Sequence, residues 1–156
     1  MALRIARFVN LLFSSLLAGN AAAALTVTQP ALGTLPRSEH IRAEQELTRR
    51  YGRIMQPLMP ATLASCLAVL RLLPKGSPAR PLTLAGTAGM AGMIGITAIE
   101  IPKNIRTLEL SADAPPDDWD AFRTEWDRWN GARTVATLAG WTCLCLAALR
   151  DTRPGR

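Results

Sequence analysis

The apolar residues of this chain come in four blocks, at about 8–27, 57–73, 81–101 and 131–149. Almost every Lys, Arg, Asp and Glu lies between or outside them. A soluble domain of this length would instead interleave apolar and polar positions at helical or strand spacing. About 20 consecutive apolar residues cross the hydrocarbon core of a bilayer, and three blocks approach that length. The second is shorter and carries Arg71 near its end, where a long side chain can snorkel to the headgroups. The pattern predicts an all-α, integral membrane four-helix bundle, with residues 1–156 forming a single membrane domain.

The segments between the blocks carry a second, weaker periodicity. From Arg37 to Tyr51 there is neither Pro nor Gly, and His40, Glu44, Leu47 and Tyr51 fall on one helical face. A short amphipathic helix is expected there, capped by Thr34 or Ser38 and ended by Gly52. In the second long segment, ADAPPDDWD places Pro and acids where a helix begins. Trp119, Phe122, Trp126 and Trp129 then recur at spacings of three, four and three, forming an aromatic stripe. Arg123 with Asp127, and Glu125 with Arg128, can pair on the solvated side. Trp suits a bilayer interface, where the ring takes the apolar side and the N–H stays wet. This stretch is expected to lie at the membrane surface and turn into the last span. The bundle thus has amphipathic helices in its two long loops.

The blocks differ in detail. The first reaches a run of four Ala at positions 21–24 that resembles a signal-peptide cleavage site, but its apolar stretch continues to Val27, so a retained span is expected. The third spaces Gly86, Gly89, Gly92 and Gly95 three apart, a smooth surface for close helix packing or for joining a second copy of the chain. Glu100 and Asn104 share a face around Pro102, where that span should emerge.

Charge placement gives an orientation. The N-terminus, the loop between blocks two and three, and the C-terminus together hold eight basic residues against the single acid Asp151, a net of +7. Short basic loops stay cytoplasmic, so a multi-pass protein of the cell membrane with both termini inside is expected. The same separation argues against a nucleic-acid binder, despite the overall charge of +6. Cys66, Cys143 and Cys145 fall inside apolar blocks and read as buried small residues. No zinc spacing or phosphate-binding loop occurs, and the single His excludes bis-histidine haem ligation within one chain. The tail at 150–156, rich in charge with Pro and Gly, is expected to be disordered.

Several ordered stretches resemble a known family: Gly19-Asn20 late in the first span, QPAL followed by LPRSEH, Met59-Pro60 opening the second, EIPKN at Glu100–Asn104, and WDAFRTEWDRWNGARTV leading into the fourth. In this order they resemble the small four-span membrane family that includes the anthrone oxygenases. The resemblance implies oxygenation of an anthrone or similar polycyclic phenol, with neither metal nor flavin as cofactor. In the family, Asn often stands where this chain has Glu100, and a His often precedes the position of Arg133, where this chain reads Asn130-Gly131-Ala132. Substrate contacts and proton handling are therefore expected to differ.

Span order places His40, Glu100, Asn104, Asn130 and Arg133 at one end, with Asn20 near it. Apolar walls with a few orienting polar groups suit a flat aromatic ligand. His40 is the first candidate base, because its titration lies near neutrality, and Glu100 the second. Arg133 and Asn104 would hold an oxyanion, Trp126 and Trp129 would stack on rings, and Asn20 and Asn130 would complete a substrate-binding set. The competing expectation is a non-catalytic membrane protein that binds a hydrophobic small molecule or serves as an accessory subunit.

Overall fold

The computed structural model describes residues 1–150 as four long helices: α1, Ala2–Leu32; α2, Arg37–Leu72; α3, Arg80–Glu109; and α4, Trp119–Arg150. Each is long and apolar enough to cross a membrane, and no strand occurs among the described residues. The expected all-α, multi-pass bundle is what is observed. The tail expected to be disordered lies, beyond Arg150, outside the described residues.

Neighbouring helices run antiparallel, as the register of their contacts shows. Glycines 86 and 89 of α3 meet Gly140 of α4, while Asn104 meets Trp126. On α1, Ser15 meets Trp141, and Gln29 meets Arg123. One end of the bundle therefore holds the N-terminus, the 73–79 turn and Arg150. The other holds the 33–36 and 110–118 connections.

The helices outrun the expected spans. The segment around His40 is not a separate helix ended by Gly52, because α2 continues through Gly52, Pro57 and Pro60 for 36 residues. Glycine stops a helix by adopting a left-handed conformation, and none of the described glycines does so. The prolines free the carbonyls of Arg53 and Gln56, and all four residues are exposed, so the missing bonds point away from the core. The expected side-chain cap is also absent. Extended Pro36 precedes α2, and the Thr34 hydroxyl donates to the Ala31 carbonyl (2.8 Å). α1 likewise passes its expected end through a π-helical turn, Ala24–Thr28, that leads to Gln29.

Three apolar clusters stack along the bundle. Leu17, Cys66, Met90, Met93 and Leu144 fill the middle. Val69, Leu73, Ala79 and Ala147 close the end with the 73–79 turn, and Ile41, Trp119 and Phe122 close the other. Hydroxyls within the apolar helices bond back to their own backbones, as Thr62 does to Leu58 and Thr83 to Ala79. Asn10 donates to Ser65 Oγ and Cys66 Sγ, both at 3.0 Å, pinning α1 to α2.

The α3–α4 crossing is where glycine is required. A Cβ at Gly89 would stand 2.7 Å from Gly140 Cα, and one at Gly86 would stand 2.6 Å from Leu144 Cγ. Gly92 and Gly95 have open space instead. The four glycines thus do not make the single smooth face expected of them. Steps of three residues advance about 300°, so each glycine drifts about 60° from the last. Two serve packing within the chain, and two point elsewhere.

Candidate functional site

The end with the 33–36 and 110–118 connections carries all of the described acids, with basic residues interleaved among them. Two polar groups form there, one nearer the apolar middle than the other.

The inner group is built by α3 and α4. Glu100 is fully buried, and its Oε2 pairs with Arg133 Nη1 at 3.0 Å. Arg133 Nη2 donates to Asn130 Oδ1 (2.5 Å), and Asn130 is itself buried. A buried carboxylate requires such a partner, since an isolated one would lose several kcal/mol of hydration. Compensation is one-sided: Glu100 Oε1 is buried with no hydrogen-bond partner among the described residues. One turn further along α3, Asn104 Oδ1 accepts the indole N–H of Trp126 (3.2 Å). Lys103 lies over the Trp129 ring at 5.6 Å and reaches Glu125 at 2.6 Å. That hydrogen bond, together with the charge of Lys103, holds the exposed Glu125 carboxyl below the ordinary carboxylate range.

The outer group joins three helices. Glu44 on α2, almost fully buried, pairs with Arg123 of α4 at 2.7 Å. Arg123 also reaches Asp127 (3.0 Å) and Gln29 of α1, and covers the Trp126 ring at 4.2 Å. His40 is buried beside them. Its Nε2 lies 3.7 Å from Glu44 Oε1, beyond hydrogen-bond reach, and its ring meets Trp119 edge to face. Around this group Gln45 donates to the Thr107 and Leu110 carbonyls, tying α2 to the end of α3. Exposed pairs, Arg37 with Asp120 and Arg106 with Asp118, surround it.

The structure thus brings together Glu100, Arg133 and Asn130, with Asn104, Trp126 and Trp129 one to two turns away. His40 stands apart, at the level of Trp119. Trp119 and Arg133 are 14 residues apart on one helix, about 21 Å along its axis. Asn20 is half-buried on α1, and its side chain forms no hydrogen bond among the described residues; the α1–α4 register puts it near the height of Arg133. Two expected surface pairs also differ. Glu125 takes Lys103 rather than Arg128, and Arg123 is only 13% exposed, with Asp127 as one of several partners.

Glu44, Gln29 and Arg123 were missed as members of a buried polar group. The available signal was Glu44 sharing a face with His40. Two surface hollows lie at the opposite end, and neither touches Glu100. Among the described residues no three His, Cys, Asp or Glu side chains gather as metal ligands.

A family model described as anthrone oxygenase matches residues 46–143, which is 98 of the 156 residues. The inner group lies wholly inside that stretch, whereas His40, Glu44 and Asn20 lie before it. No curated protein and no solved structure matches the chain.

Proposed function

The chain belongs to the anthrone oxygenase family, and on that premise we propose that it binds a flat, anthrone-type phenol beside Glu100 and Arg133 and oxygenates it with O2. The observation that carries this reading is the buried Glu100 carboxylate, with one oxygen held by Arg133 and the other unpartnered. Such an oxygen is a candidate general base held away from water.

An anthrone has an acidic CH2 group between two aryl rings. Glu100 Oε1 takes one proton from it, leaving an electron-rich anion whose charge spreads to the carbonyl oxygen. Arg133 and Asn104 stabilise that oxyanion, while Trp126 and Trp129 supply aromatic faces. Asn130 and Asn20 serve as polar contacts to the edge of the substrate. The anion gives one electron to O2, and the resulting radical and superoxide join as a peroxide anion, which takes the proton back from Glu100 to become a hydroperoxide. Loss of water leaves a second carbonyl, so one O2 yields one quinone oxygen and one water. His40 is assigned to the outer group, with Glu44 and Arg123, rather than to the base.

The test is O2 uptake by purified protein with an anthrone in detergent. Uptake well above the uncatalysed rate is expected, at one O2 per anthrone. A positioned base contributes about 10²–10⁴-fold, so Glu100→Gln should lose about that much and His40→Ala far less. Stoichiometric iron or copper in the active sample would overturn a mechanism without metal. The hollows at the far end and the closure of Arg133 on Asn130 favour a second reading, in which the pair only latches α3 to α4 and the protein is a non-catalytic binder. Wild-type uptake at the uncatalysed rate would leave that second reading standing.

A further inference from the structure

We propose that the hollow at the α2–α3 turn holds the headgroup of an anionic phospholipid, with the acyl chains running along the leucines of α2. The hollow is lined by Leu67, Leu70, Arg71, Leu73, Lys75 and Arg80, three basic side chains on an apolar floor, with no acid.

Arg80 is fixed in place. Its Nη1 donates to the Leu70 and Leu73 carbonyls at 3.0 and 3.3 Å, closing the C-terminus of α2 and leaving the rest of the guanidinium for a ligand. Arg71 and Lys75 are exposed beside it. Among the described residues this end carries Arg4, Arg71, Lys75, Arg80 and Arg150 and no acid. From Arg80 the first acid along α3 is Glu100, about 30 Å away, and from Arg71 the nearest along α2 is Glu46, about 37 Å away. Both distances far exceed the screening length of roughly 8 Å in physiological salt. Beyond Arg150 the sequence adds Asp151 against Arg153 and Arg156.

A free anion would satisfy the cations alone. The floor of the hollow asks for more: of its leucines, Leu67 is about half exposed and lies one turn closer to the apolar middle than Arg71. Cations at the level of a turn, with a bare leucine beneath them on a membrane helix, match a lipid whose phosphate and chains are joined in one molecule.

Full-length protein is extracted after equilibration with vesicles of equal phosphatidylglycerol and phosphatidylcholine, and the retained lipid is measured by native mass spectrometry. Phosphatidylglycerol should be retained at least ten-fold over phosphatidylcholine. Arg71→Gln with Lys75→Gln should lower that preference about five-fold per removed charge, the effect of one basic side chain at an anionic surface. Arg53→Gln with Arg128→Gln, two exposed cations at the other end, should leave it unchanged. If the first pair impairs folding, Lys75→Gln alone should still lose about five-fold. Equal retention of both lipids, equal loss in the control pair, or displacement by millimolar inorganic phosphate would each overturn the proposal.

Discussion

Adding one methyl group at Gly89 tests the α3–α4 crossing on which the inner polar group depends. A Cβ there would lie 2.7 Å from Gly140 Cα and 3.0 Å from the Ala136 carbonyl oxygen, both backbone atoms that no rotamer change can move. Ordinary carbon contacts need about 3.5–4.0 Å, so the helices must separate by close to 1 Å. A gap of that size forfeits roughly a quarter to half of each dispersion contact along the seam. Overpacking of this kind costs about 1–3 kcal/mol. Alanine returns about 1 kcal/mol through helix propensity, so a net loss of up to about 2 kcal/mol is expected for Gly89→Ala. Gly92→Ala supplies the matched control. Nothing lies within 4 Å of its added Cβ, so only the propensity gain of about 1 kcal/mol remains. Unfolding by denaturing detergent, followed by circular dichroism, should therefore separate the two variants by about 1–3 kcal/mol, the overpacking cost alone, with Gly92→Ala the more stable. Equal shifts would refute the packing argument. A loss at Gly92 confined to protein that crosslinks as a dimer would show that the open glycines meet a second copy.

Removing either polar group should have effects that burial ranks. Arg133→Met leaves Glu100 buried without its cation and should cost about 3–5 kcal/mol in the same unfolding assay, while Arg133→Met combined with Glu100→Met should recover most of that loss. Full additivity of the two changes would argue against a coupled pair. Arg123→Met should cost several-fold more than Arg37→Met, because the Glu44 partner is buried, whereas the exposed Arg37 with Asp120 contributes at most about 1 kcal/mol. Trp126→Phe keeps the ring but loses the N–H to Asn104, an expected destabilisation of about 1 kcal/mol; no change would mean that water replaces the indole without loss.

The number of helices and their order were legible because lipid-crossing segments must be continuously apolar, a requirement that leaves little ambiguity in the pattern. Helix ends were not. Gly52 read as a stop and Met59-Pro60 as the opening of a new span, yet Gly52 stays helical and Pro57 and Pro60 each lose at most one hydrogen bond at an exposed position, which the packed helix tolerates. The facing of Glu100 and Arg133 followed from span order, since both stand at the same end of adjacent helices. Span order says nothing about height, however, and so His40 was grouped with them although it sits at the level of Trp119. The glycine row failed for a similar reason: three-residue spacing was read as a face, whereas the 3.6-residue turn spreads it around half the helix. Arg123 could be placed only by the tertiary register, because it looked like an ordinary member of a charged helix surface, whereas the one signal for Glu44 was the face it shares with His40.

The absence of a break in α2 has a mechanical consequence. Its 36 residues make a rod about 54 Å long, whereas the hydrocarbon core is about 30 Å thick. The part around His40 and Glu44 is therefore an arm that reaches past the apolar span, joined to the part that ends at Leu72 through the turns that hold Pro57 and Pro60. A ligand that tilts the Glu44 end by a few degrees would bend α2 first at those turns, where two backbone hydrogen bonds are missing.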